Sequence, residues 1–97
     1  MDVYFELKGI SFVWNRAKAN RNISIHGVAF EQAAEAFFDP FFLMVDASPE
    51  EETRDAIIGM DERWNLLFVV NIEIKDDRIR IISARKATHS ERQRYED

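Results

Sequence analysis

The sequence predicts an α+β fold in which helices gather on one face of an antiparallel β-meander. Two observations carry that prediction. Phe30, Ala33, Ala34, Phe37 and Phe38 recur at helical spacing in the first half, and the second half reads as successive β-branched runs divided by turn residues. A length of 97 residues without cysteine adds the expectation of one domain with one modest core and no disulfides.

In chain order, Ile10–Trp14 is an aromatic, β-branched run and reads as a strand. Asp2–Lys8 either extends it or pairs separately, with Gly9 marking a break, so residues 1–9 are an extra strand or an extension. Asn15 is a competent N-cap for a first helix over Asn15–Ile25, which stops at His26-Gly27 with Gly27 in the left-handed position. Its apolar positions are sparse, so it should be largely exposed. A second helix restarts at Val28 and ends at Asp39-Pro40, because a residue before proline avoids the helical region. Phe41–Val45 is a continuous apolar run and reads as a strand, followed by an acidic loop over Asp46–Thr53. Strands are expected at Arg54–Met60, Leu66–Ile74 and Arg78–Ala87, with Lys75-Asp76-Asp77 as a hairpin turn. Thr88 or Ser90 can cap a terminal helix running through Tyr95.

Charge is unevenly distributed. Residues 31–62 hold ten acidic side chains and one basic, while residues 1–30 and 75–97 each carry +2, giving a net −5. That balance argues against nonspecific nucleic-acid binding but leaves room for a local basic cleft, and the acidic middle suits a basic partner. The two histidines, His26 and His89, match no metal-ligand spacing, so neither a metal nor another cofactor is expected. No apolar run approaches the roughly 18 residues that span a bilayer, and the start lacks the pattern of a secretory leader, so a cytoplasmic protein is expected.

Arg78–Ala87 carries more charge than a structural strand needs. In a straight strand Ile79, Ile81 and Ser83 face one way, and Arg78, Arg80, Ile82 and Ala84 the other. Arg80 then sits among apolar neighbours, either paired with Glu73 or a carboxylate of the acidic middle, or free to bind phosphate. Arg85 and Lys86 at the strand end can reach ligand or solvent. His26 closes a helix, where the dipole favours a cation; it is either a cap for the last carbonyls or a general acid. Trp14, Trp64 and Phe68 are packing residues by default and stacking surfaces in the alternative.

These residues also form a recognisable series. Phe12-x-Trp14, Lys18, Asn22, His26-Gly27-Val28-x-Phe30-Glu31-x-Ala33, Glu52-x-Arg54, Ile58-Gly59, Arg80-Ile81-Ile82-Ser83-Ala84-Arg85-x-Ala87 and Glu91-Arg92-x-x-Tyr95 resemble the BrnT family, toxins of BrnT/BrnA toxin–antitoxin pairs, over about Ile10–Tyr95. The resemblance implies a RelE-like fold and a metal-independent endoribonuclease that cleaves RNA and inhibits translation. It also implies a ribbon-helix-helix antitoxin, BrnA-like, through which alone the chain meets DNA. Carried over by position, His26, Glu52, Arg80 and Arg85 are the catalytic candidates, and Lys18, Arg54, Lys86 and Tyr95 the RNA contacts. Asn15 stands where the family usually has an acidic residue, and Ser24-Ile25 where it usually has two lysines. An inactive family member that keeps only antitoxin binding or operon regulation is the alternative. If Arg80 and Arg85 serve one site, the strand must end or bulge between Ser83 and Arg85, because five residues is an odd offset.

Overall fold

The computed structural model describes residues 1–47, 54–74 and 77–97. Its elements run β1 (Asp2–Leu7), β2 (Ile10–Asn15), α1 (Arg16–His26), α2 (Phe30–Glu35), a 3-10 turn (Ala36–Phe38), β3 (Leu43–Asp46), β4 (Asp55–Met60), β5 (Leu66–Ile74), β6 (Arg78–Lys86) and α3 (His89–Glu96). The strands form one sheet in the order β1-β2-β6-β5-β4-β3. β3 to β6 make the expected antiparallel meander. The sheet as a whole is mixed, because β2 returns beside β6 in parallel, pairing Ser11–Val13 with Arg78–Arg80. Parallel neighbours require a long crossover, here the helices and the meander itself.

Residues 1–9 supply an edge strand. Lys8 and Gly9 both take positive φ, at 50° and 84°, which makes the two-residue turn that joins β1 to β2. Asn15 caps α1, its Oδ1 accepting from Lys18 N at 3.0 Å, and Gly27 closes the helix at φ 70°. α1 buries only Ala19 and Asn22, as its sparse apolar pattern predicts.

Asn22 explains how α1 sits. Its Nδ2 donates to Val28 O and Ala84 O, both at 2.8 Å, and its Oδ1 accepts from Ala84 N at 3.1 Å. The side chain thus bonds Ala84 as a neighbouring strand would, beyond the point where β2 leaves β6. α2 begins at Phe30 rather than Val28. Val28 and Ala29 stay outside it, with Ala29 extended at ψ 147° and the Val28 carbonyl held by Asn22.

After Pro40 the apolar run does not enter the sheet at once. Asp39 Oδ1 accepts from Phe41 N at 2.9 Å, which turns the chain and leaves Phe41 76% exposed. The strand therefore starts at Leu43. The predicted turn at Lys75-Asp76 and most of the acidic loop, Ser48–Thr53, lie outside the described residues. Thr88 rather than Ser90 caps α3, in a capping box with Glu91.

The core joins Phe12, Trp14, Ile57, Leu67, Val69, Ile81 and Ala84 of the sheet to Ala19, Val28, Phe30, Ala33, Ala34 and Ala36. Phe12 meets Phe37 edge-on at 5.4 Å, and Trp14 meets Phe30 at 5.8 Å between ring centroids. Trp64 instead stands 82% exposed, at φ 67° in the β4–β5 connection. Asp61 shapes that connection by accepting from Arg63 N, Asn65 N, Asn65 Nδ2 and Gln32 Nε2 at 2.8–3.0 Å. Burial pushes the Asp61 carboxyl up, but these hydrogen bonds outweigh it and hold the group below its ordinary value. No helix among the described residues is long and apolar enough to cross a membrane.

Candidate functional site

β6 lies inside the sheet, between β2 and β5, and its register decides where its arginines point. Val70 pairs with Ser83 but Asn71 pairs with Ile81, so Ile82 is the extra residue of a bulge. The bulge flips the alternation. Arg80 stands opposite Ile72 and Arg85 opposite Phe68, four residues apart on β5 and therefore on one face. Ser83 joins the arginines, while Ala84 joins Ile79 and Ile81 on the core side, the reverse of a straight strand. The expected irregularity exists, two residues earlier than the Ser83–Arg85 interval.

Each arginine already holds a carboxylate. Arg80 reaches across β2 to Asp2 on β1, at 3.0 and 3.4 Å. Glu73 is not its partner: it pairs in register with Ile79 and so lies on the other face. The Asp2 hydrogen bond lowers the Asp2 pKa and raises that of Arg80. Arg85 holds Glu91 of α3 in a two-point contact at 2.8 and 2.9 Å and stacks on Phe68, 4.3 Å from the ring centroid. The Arg85 hydrogen bond is the main reason the Glu91 carboxyl is held below its usual range, with burial opposing it.

Beside the bulge, α1 and β6 enclose a cleft of about 240 Å³ lined by Lys18, Arg21, Asn22, Ile25, His26, Ile82 and Ser83. Two predicted residues, Lys18 and His26, meet here. Their side chains, and that of Arg21, make no hydrogen bond or ion pair among the described residues. His26 is thus not tied down as a cap for the helix carbonyls. Ile25, one of the positions where the family resemblance implies a lysine, lines the same cleft and is 65% exposed. The cleft opens beside Ser83, which lies between Arg80 and Arg85 on β6. The cleft itself can offer Lys18 and Arg21 to an anion and His26 to a proton transfer.

The remaining candidates lie apart. The Tyr95 hydroxyl donates to Asp39 Oδ2, and burial followed by that contact pushes its pKa up to about 12. Asp39 also accepts from Met60 N at 2.8 Å, so Tyr95 fastens α3 near the end of β4. Lys86 is exposed and pairs in register with Leu67, on the face opposite Arg85. Arg54 is half-buried just before β4. Glu52 lies outside the described residues. Sequence reasoning reads Arg21, like Lys18, as a charge on the exposed face of the first helix, more often solvated than a ligand. It does not single out Ser83 or the Asp2–Arg80 pair, which nothing local signals.

Among the described residues no three His, Asp or Glu side chains converge as metal ligands. A comparison with curated proteins finds no match. The family whose model does match is described as a ribonuclease toxin, BrnT, of type II toxin–antitoxin systems. With that match running over residues 14–91, most of the chain, this protein belongs to the BrnT family of ribonuclease toxins of type II toxin–antitoxin systems.

Proposed function

We propose that the chain is a metal-independent endoribonuclease toxin on a RelE-like fold, cleaving RNA in the cytoplasm and so inhibiting translation. The observation that supports this most is the bulge at Ile82, which sets Arg80 and Arg85 on one face beside a cleft holding Lys18 and His26. RNA cleavage without metal uses the 2′-hydroxyl as nucleophile on its own phosphate. A base takes the 2′ proton, the 5′ oxygen leaves with a proton from an acid, and cations hold the phosphorane. Arg80 and Arg85 are the cations, His26 and Glu52 the proton-transfer pair. Lys18, Arg54 and Lys86 contact flanking phosphates, and Tyr95 offers its ring, its hydroxyl being engaged by Asp39. Substrate phosphate competes with Asp2 and Glu91 for guanidinium donors, of which each arginine has five.

The partner is a ribbon-helix-helix antitoxin, and DNA is reached only through it. Tightly controlled expression of wild type and Arg80→Ala without antitoxin tests the activity. Arrested growth and cut RNA with wild type alone are expected; equal growth and intact RNA with both would refute it.

Two observations favour a second reading, an inactive antitoxin-binding or operon-regulating module: Ile25 in the cleft, and carboxylates on both arginines. It predicts complex formation with the antitoxin and no cleavage by the purified wild type.

A further inference from the structure

Apart from Glu52, the acidic residues of the chain's middle are not used by the chemistry above. On the sheet face away from the arginines, a cavity of about 660 Å³ opens beneath the 3-10 turn. Phe37, Ile57 and Ile79 line it, together with Ile10, Phe42 and Met44, which remain 36%, 38% and 62% exposed. Uncovered apolar side chains around one concavity are the mark of a contact surface rather than of scattered exposure.

Asp55, Glu73 and Asp77 also line the cavity, and none of them forms an ion pair among the described residues. Asp55 pairs in register with Asn71, two residues before Glu73 on β5, so these carboxylates share the cavity's sheet wall. Asn71 lines it too and is only 7% exposed. Its Nδ2 donates to Val69 O at 3.1 Å, while its Oδ1 accepts no hydrogen bond among the described residues. The amide of a nearly buried asparagine and three carboxylates that pair with no cation among the described residues therefore edge an apolar hollow. One of the three, Asp55, belongs to the segment where ten acidic residues outnumber one basic.

We propose that this cavity docks a protein segment presenting one large apolar side chain flanked by arginine or lysine. The apolar side chain enters the hollow, and the basic group pairs with Glu73, Asp55 or Asp77 and donates to Asn71 Oδ1. Charge complementarity selects that partner, since a nucleic acid would be repelled by the same carboxylates. This rests on the toxin reading, in which the partner is a protein antitoxin. The surface lies on the face opposite Arg80 and Arg85, so its loss leaves those two arginines untouched.

The test is affinity, by titration calorimetry, for the purified antitoxin encoded beside this chain. Glu73→Lys and Met44→Gln, both at exposed positions, are compared with wild type and with Glu62→Lys, which matches the charge change of Glu73→Lys away from the cavity. Expected is a loss of about tenfold or more for both cavity variants, a change within about twofold for Glu62→Lys, and RNA cleavage at the wild-type rate in all. Cavity variants that bind within about twofold of wild type overturn the docking surface alone. A wild type that forms no complex overturns the antitoxin reading, and the docking surface with it.

Discussion

Asn22→Ala should be among the most damaging single changes in the chain. The side chain makes three hydrogen bonds, two to Ala84 and one to Val28, and both partner residues are 1% exposed. Removing it leaves three backbone groups of nearly buried residues without their protein partners. At roughly 1–1.5 kcal/mol per orphaned group, the loss is about 3–5 kcal/mol, a large share of what a small domain possesses. For a chain of this size that lowers the midpoint of thermal unfolding by on the order of 15 °C or more. Fluorescence of Trp14, which packs in the core beside the helices, reports the transition. Asn22→Asp sharpens the test, because it keeps the acceptor for Ala84 N but sets a carboxylate against two carbonyls. It should be no more stable than the alanine variant. A midpoint for Asn22→Ala within about 3 °C of wild type would refute the view that this side chain completes the edge of β6.

Other consequences follow from the same contacts. Gly59→Ala places a Cβ 2.6 Å from the Ala36 carbonyl oxygen and 3.2 Å from the Phe42 Cβ, so it should cost about 2 kcal/mol or more by urea denaturation. Asp39, Asp61 and Glu91 all have folded pKa values below their ordinary ones. Their stabilisation is therefore complete above the ordinary carboxylate range and is lost as pH falls through the depressed values. Unfolding free energy should drop below about pH 4, with a shallower acid slope in Asp61→Asn. Ile25→Lys restores a cation to the cleft and should tighten binding of single-stranded RNA, steepening the salt dependence by about 0.7 in log–log slope.

The elements with local chemistry were legible in the sequence. Asn15 as cap, Gly27 as helix stop and Leu66–Ile74 as a strand all rest on residues that act on their immediate neighbours. The parallel pairing of β2 with β6 was not, since it joins segments nearly seventy residues apart and leaves no periodic trace in either. Phe41 and Phe42 read as strand because their apolarity was visible and the Asp39 turn that holds them outside the sheet was not. Within the site, the meeting of Lys18 and His26 follows from their spacing on one helix. The common face of Arg80 and Arg85 did not follow from strand alternation, which sends them apart; the bulge at Ile82 reconciles them. Asp2 was missed as Arg80's partner because its strand reaches β6 only through β2.

Single-turnover cleavage of RNA by the purified chain in the presence of EDTA decides whether Arg80 and Arg85 serve a metal-independent nuclease site. Wild type should cut, and Arg80→Ala and Arg85→Ala should each be slower by roughly two to three orders of magnitude, the scale of losing one group that stabilises the transition state. Cleavage by either variant at the wild-type rate, or no cleavage by wild type, would contradict the account.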